Sequence, residues 1–186
     1  MGTPIDEAVA LDAAMVRGLL VSQHPDLAGL PIEEGPHGYD NRLWRIGDRL
    51  LGRFPSRAVA APLAHHEQRW LPELAPRLPL PVPAPVRTGQ PANGYPWAWS
   101  VVPWLDGTPG DQAPLNGDGA GNALRLARFL KALHEPAPAG APLNPYRSVP
   151  LAQRADSFDF WMSDLGPAVD AEALRAVWDH ALAAAP

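Results

Sequence analysis

GYDNRLWRIGDRLLGRFPSRAVAAPLAHHE, residues 38–67, decides how the rest of the chain is read. Gly38 frees the backbone ahead of a strand. Asn41–Ile46 and Arg49–Phe54 are short runs of β-formers around Gly47-Asp48, a dipeptide suited to hairpin turns. If that dipeptide is a two-residue turn, Trp44 pairs with Leu51 and shares a face with Arg53. A three-residue bulged turn puts Leu43 there instead. Leu51 lies two residues before Arg53, so both point to one face in either register. Pro55 cannot donate to a ladder and ends the second strand. Ser56 then opens a helical segment that contains Glu67. Pro62 fits its first turn, and Leu63, Trp70 and Leu74 fall on one side.

A phosphate chain laid under such a hairpin needs backbone that can approach it, a fixed cation, and an anion that holds the cation. Gly38, Arg53 and Glu67 supply one each. Taken alone, Arg53 and Glu67 read more readily as two solvated surface charges, and only the resemblance given below reverses that preference. His65-His66-Glu67 is not a metal site, because adjacent helical side chains diverge by about 100°. His37 is read as a loop residue.

Outward from this stretch, Asp6–Gln23 reads as a helix with Leu11, Met15 and Leu19 on one side, ended by His24-Pro25. Leu30–Glu34 is expected to form a first strand. Leu80–Thr88, with three prolines, reads as an extended edge strand. Asn93-Gly94 signals a turn. Trp97–Trp104 is a strand rich in aromatic and β-branched residues, and Trp44, Trp70, Trp97 and Trp99 are expected in the core. Gly107–Gly121 reads as a linker without the lysine of a phosphate-binding P-loop, and Asp118 within it has no catalytic context. Leu126, Phe129, Leu130 and Leu133 give a helical stripe. Glu135–Tyr146 is rich in Pro, Ala and Gly. Leu151–Leu165 and Val169–Ala185 read as two more helices, with Asp156, Asp159 and Asp164 on a solvated side.

The 186 residues carry a net charge of −5, which argues against nucleic acid as a partner. There are no cysteines, so no disulfide framework and no thiolate metal site. That suits a cytoplasmic protein. MGTPIDEAVA lacks the basic and apolar regions of a signal peptide, and no apolar run is long enough to span a membrane.

Six segments in order resemble the aminoglycoside phosphotransferases, small-molecule kinases with a protein-kinase-like fold. They are GYDN at 38–41, IGDRLLGRFP at 46–55, HEQRWLPEL at 66–74, LPLPVPAPVRTG at 78–89, GYPWAWSVVPWLDGTP at 94–109 and LARFLKALH at 126–134. The resemblance implies an α+β fold: a kinase-like small lobe over 1–105, an antiparallel sheet with a packed helix, then the first helices of an incomplete helical large lobe over 106–186. It implies ATP as cofactor. Gly38, Tyr39, Asp40 and Asn41 would form a loop over the phosphates, Arg53 would hold them, and Glu67 would hold Arg53. Leu51 would roof the adenine and Val102 would close the back of its pocket. Pro103, with a carbonyl but no N–H, would accept from the exocyclic amine, and Leu105 N–H would donate to a ring nitrogen.

The family's His-Gly-Asp catalytic loop does not occur in these residues: His-Gly stands only at 37–38 and is followed by Tyr39. The catalytic base and the Mg²⁺ ligands are therefore expected in a missing part of the large lobe, and this chain alone is expected not to transfer phosphate. The expected acceptor is a small hydroxylated molecule of the aminoglycoside-antibiotic type. The alternative is a non-catalytic fragment that binds nucleotide or serves in interactions. The apolar faces of the last helices, with Trp178 and Leu182, are expected to associate as a homodimer.

Overall fold

The computed structural model describes residues 9–36, 38–108, 110, 112–113, 119–143, 149–166 and 169–184. The chain divides into two compact units, Met1–Pro136 and Ala137–Pro186.

The first unit is built on a five-stranded antiparallel sheet. Its strands are β1 (Ile32–Glu34), β2 (Asn41–Ile46), β3 (Leu50–Pro55), β4 (Arg87–Gly89) and β5 (Trp99–Pro103), in the spatial order β1-β2-β3-β5-β4. The hairpin resolves the open question of register. Ile46 pairs with Leu50, so Gly47, Asp48 and Arg49 form a three-residue turn, and Leu43 stands opposite Arg53. Gly47 takes a left-handed φ of 57°, the backbone state that such a turn requires.

The register sorts the side chains into two faces. Trp44, Ile46, Phe54, Trp99 and Val101 form a core with Val16, Leu19 and Leu20 of helix α1 (Ala13–Gln23). Phe54 stacks on Trp99 with ring centres 5.0 Å apart. Gly89 lies directly across from Trp99, and a side chain there would collide with the indole. Tyr95 is buried and donates its hydroxyl to the Pro55 carbonyl at 2.7 Å.

α1 is shorter than the sequence suggests because Asp12 caps it, accepting from Met15 N–H at 2.8 Å; Asp6 lies outside the described residues. Its C-terminal end is tied to β4, with Gln23 exchanging hydrogen bonds with the Gln90 backbone at 2.7 and 2.9 Å.

The other face of the sheet meets helix α2 (Ala61–Leu74), which follows a single 3₁₀ turn at Ala58–Ala60. The buried residue of α2 is Ala64, whereas Leu63 is exposed. One turn on, Gln68 donates to Trp99 O at 2.9 Å and Ser100 Oγ at 3.1 Å. A small residue and an amide therefore hold α2 on the sheet, in place of the Leu63 stripe expected from periodicity. Pro62 sits in the first turn, where its missing N–H costs nothing. Of the expected 80–88 edge strand only Arg87–Gly89 pairs, because three prolines remove the donors before it. Asn93 and Gly94 both have positive φ, the turn their dipeptide signals. Helix α3 (Gly119–Leu133) also belongs to the first unit.

The second unit contains a 3₁₀ turn at Leu151–Arg154, helix α4 (Ala155–Leu165) and helix α5 (Ala171–Ala183). Asp170 caps α5 by accepting from Ala173 N–H at 3.0 Å. Phe158 stacks on Trp178 at 4.3 Å, and Arg175 pairs with Asp159 at 2.8 Å. Phe160, Trp161, Val177 and Leu182 stay exposed. No helix among the described residues is long and apolar enough to cross a membrane.

Candidate functional site

The face of the sheet that meets α2 gathers most of the residues singled out in the sequence. Arg53 projects from β3 between two cross-strand neighbours, Leu43 and Ser100. Its Nη2 meets Glu67 Oε1 of α2 at 2.7 Å, a charge-assisted hydrogen bond between half-buried side chains. The pair fixes the guanidinium laterally but occupies only one of its five N–H donors. Arg53 Nε is enclosed without a protein acceptor. A cation held from one side with donors to spare suits a polyanion.

Leu51 and Val102 are direct cross-strand partners on the same face as Arg53, Val102 fully buried and Leu51 partly so. Together they give the base of this face an apolar floor. Beyond them the chain leaves β5 as Pro103, Trp104 and Leu105. Trp104 N–H donates to Arg49 O at 2.8 Å, which extends the ladder by one residue. Hydrogen-bonding direction alternates along an antiparallel strand. The backbone of Val101 and Pro103 therefore points away from β3. Val101 O on that side accepts from Val86 N–H at 2.8 Å. The Pro103 carbonyl follows on the same edge, and Leu105 lies two residues past the end of the strand.

The loop at 38–41 is closed by Gly38 N–H on Asn41 O at 3.1 Å. Gly38 does not adopt left-handed backbone; a Cβ there would sit 3.1 Å from that same carbonyl, so tightness, not φ, favours glycine. Tyr39 is 86% exposed. Asp40 is engaged by Arg57, whose Nη2 lies 2.5 Å from Asp40 Oδ1. The Arg57 guanidinium also covers the Tyr39 ring at 4.5 Å. The hydrogen bond that the Arg57 guanidinium donates to Asp40 raises its pKa above the usual arginine value. Ser56 N–H donates to Asp40 O at 2.9 Å, so both main chain and side chain of Asp40 are anchored at the start of α2.

The structure thus brings Leu51, Arg53, Glu67 and Val102 to one face, puts Pro103 at the end of β5 with Leu105 two residues beyond, and leaves Gly38–Asn41 as a separately anchored loop. Sequence reasoning missed Arg57, Gln68 and Ser100. Arg57 carried a signal: a cation before a helix start opposes the helix dipole, so it needs another partner. His37 lies outside the described residues, as does Asp118 of the linker.

The fold is shared with solved structures. The GDP and kanamycin complex of APH(2")-IIia has a TM-score of 0.63 at 20% identity, covering 87% of this chain and 55% of that one. The GDP complex of wild-type aminoglycoside 2'-phosphotransferase-IIIa has a TM-score of 0.64 at 18% identity, covering 91% and 59%. The streptomycin-ATP-APH(2")-IIa ternary complex has a TM-score of 0.50 at 16% identity, covering 92% and 58%. The chain therefore spans between 55% and 59% of the length of these structures. None of the curated proteins matches the sequence. The family described as the phosphotransferase enzyme family matches residues 31–186. Its kinase-like α+β fold, an antiparallel sheet with α2 packed behind Arg53, is the one found here, and the chain belongs to that family.

Proposed function

We propose that this chain is the nucleotide-binding part of an ATP-dependent phosphotransferase acting on a small hydroxylated molecule, with aminoglycoside-type antibiotics as the acceptor class. The observation that carries the proposal is the Arg53–Glu67 contact at 2.7 Å on the same face as Leu51 and Val102. The residues fit a nucleotide: an apolar wall for the base, a strand end with an unclaimed backbone carbonyl, and a pinned cation for phosphate. ATP supplies the phosphoryl group to be transferred. Arg53 holds the phosphates, Glu67 orients Arg53, and the Gly38–Asn41 loop covers them. Leu51 roofs the adenine, Val102 backs it, and Pro103 and Leu105 pair with its edge. Within this chain the contribution to catalysis is positioning and charge stabilisation. The acceptor class is supported by the kanamycin and streptomycin named in two of the related complexes. Such an activity would confer antibiotic resistance in the cytoplasm.

A second reading is favoured by one sequence fact: no His-Gly-Asp occurs in the 186 residues. On that reading the chain alone binds nucleotide, or partners, without transferring phosphate. Calorimetry with an ATP analogue, native against Arg53→Ala, tests the site. Binding that is lost in the variant supports it; binding that ignores the substitution removes Arg53 from its role. The DNA downstream of codon 186 separates the two readings: an open frame encoding His-Gly-Asp supports the first, and an immediate stop supports the second.

A further inference from the structure

We propose that Arg45 is a positioning residue for the nucleotide site, acting through Trp104 on the segment that leaves β5. The inference rests on the nucleotide-binding reading above and adds a residue that touches neither base nor phosphate. Arg45 is the cross-strand partner of Leu51, so it stands on the face that carries Arg53. Its guanidinium is nevertheless spent locally and is no second phosphate cation. Nε donates to Gly47 O at 3.3 Å and Nη2 donates to Asp48 O at 3.1 Å. Its central carbon lies over the Trp104 ring, 4.2 Å from the ring centre. The remaining carbonyl of the same turn, Arg49 O, accepts from Trp104 N–H at 2.8 Å. All three carbonyls of the Gly47–Arg49 turn therefore serve one clamp that ends on Trp104. The indole is also held by its own N–H, which donates to Asp106 Oδ1 at 3.0 Å.

This clamp sits where the ladder stops. β5 ends at Pro103, and residues 104–108 have no regular secondary structure. Backbone without a ladder must be ordered when a ligand settles against it. Fixing Trp104 by its backbone N–H, its ring face and its ring N–H orders the exit from β5 beforehand, so less ordering falls to binding. Arginine suits the task because a planar guanidinium can lie on an indole while donating to two carbonyls; lysine cannot do both. A clamp that only stiffened the hairpin would raise stability and leave the affinity of the folded protein unchanged.

The test is calorimetric titration with ADP of the native chain, Arg45→Met, Trp104→Leu and the double variant, with urea midpoints and amide hydrogen exchange measured on each. Arg42→Met is the control: it removes a cation from the same strand, but one paired opposite Phe54 on the other face. Arg45→Met and Trp104→Leu should each weaken ADP binding about fivefold, the size of one half-buried cation–π contact, and the double variant no further. Arg42→Met should bind as the native chain does. In Arg45→Met, exchange of Trp104 N–H should quicken while that of Val86 N–H, bonded to Val101 O at 2.8 Å, holds its rate. Unchanged affinity or unchanged Trp104 exchange in Arg45→Met, an equal loss in Arg42→Met, or losses that add in the double variant overturn the positioning role and leave the nucleotide site standing. If Arg45→Met does not fold, Arg45→Lys is read by the same criteria. A native chain that does not bind ADP removes the nucleotide reading, and the role of Arg45 falls with it.

Discussion

Leu43 stands across the hairpin from Arg53, and this pairing commits Trp44 to the opposite face, against α1. The position across from the cation is thereby filled by a leucine instead of an indole, and α2 can bring Glu67 to within 2.7 Å of Arg53.

Arg53→Ala should weaken binding of an ATP analogue by tenfold or more, about the loss of one charge-assisted phosphate contact. Glu67→Gln should weaken it less, because the guanidinium remains but is no longer pinned. Both variants should lose only about 1 kcal/mol of stability, as expected for a partly exposed pair. Calorimetry and urea unfolding measure the two quantities separately. Binding that survives both substitutions would sink the assigned roles.

Release of the 38–41 loop should be visible without nucleotide. Arg57→Met removes, and Asp40→Asn strips of its charge, the 2.5 Å contact that anchors it. Chymotryptic cleavage after the exposed Tyr39 should accelerate severalfold in either variant, since local opening sets the rate. Unchanged cleavage would show that the main-chain bond from Ser56 N–H suffices.

Gly89→Ala should destabilise the first unit by about 2 kcal/mol, because its Cβ would run into the Trp99 ring across a paired strand. Gly107→Ala is the comparison: nothing lies within 4 Å of a Cβ there, and its unfolding midpoint should barely move. Similar midpoints for the two would contradict the packing described around Trp99.

Burial pushes the Tyr95 phenol above the usual tyrosine range. The folded state keeps that proton while the unfolded chain loses it above about pH 10. Stability should therefore hold below that pH and fall as the pH climbs past it. Tyr95→Phe should be weaker by about 1 kcal/mol at neutral pH, through loss of the bond to Pro55 O, yet lose less on going alkaline. Urea midpoints from pH 8 to 11 check the slope. Parallel slopes for the two proteins would assign the alkaline loss to other groups.

Sedimentation should find a dimer, formed through the apolar side of α5. Val177→Glu with Leu182→Glu should convert it to monomer, since both positions are exposed and neither supports the Phe158–Trp178 stack. A native monomer at high concentration would rule this out.

Much of the fold was legible where backbone chemistry is decisive. Pro55, the Asn93-Gly94 turn and the cation-bearing strand read correctly because φ limits and missing donors act locally. The turn at Gly47 could not be sized from sequence, since two- and three-residue connections accept the same dipeptide. The buried side of α2 was misread for a different reason. Ala64 and Gln68 have little hydrophobicity: Ala64 is buried for its small size, and Gln68 counts only through its bonds to Trp99 O and Ser100 Oγ. Arg57 and Asp40 lie seventeen positions apart and meet only because β2 and β3 fold back on each other.

The prolines at 81, 83 and 85 matter beyond shortening β4. A sheet margin with free carbonyls invites a stray strand to zip onto it, but a zipper needs donors and acceptors in alternation. Here the prolines break that alternation, so a stray polypeptide finds no continuous ladder to join.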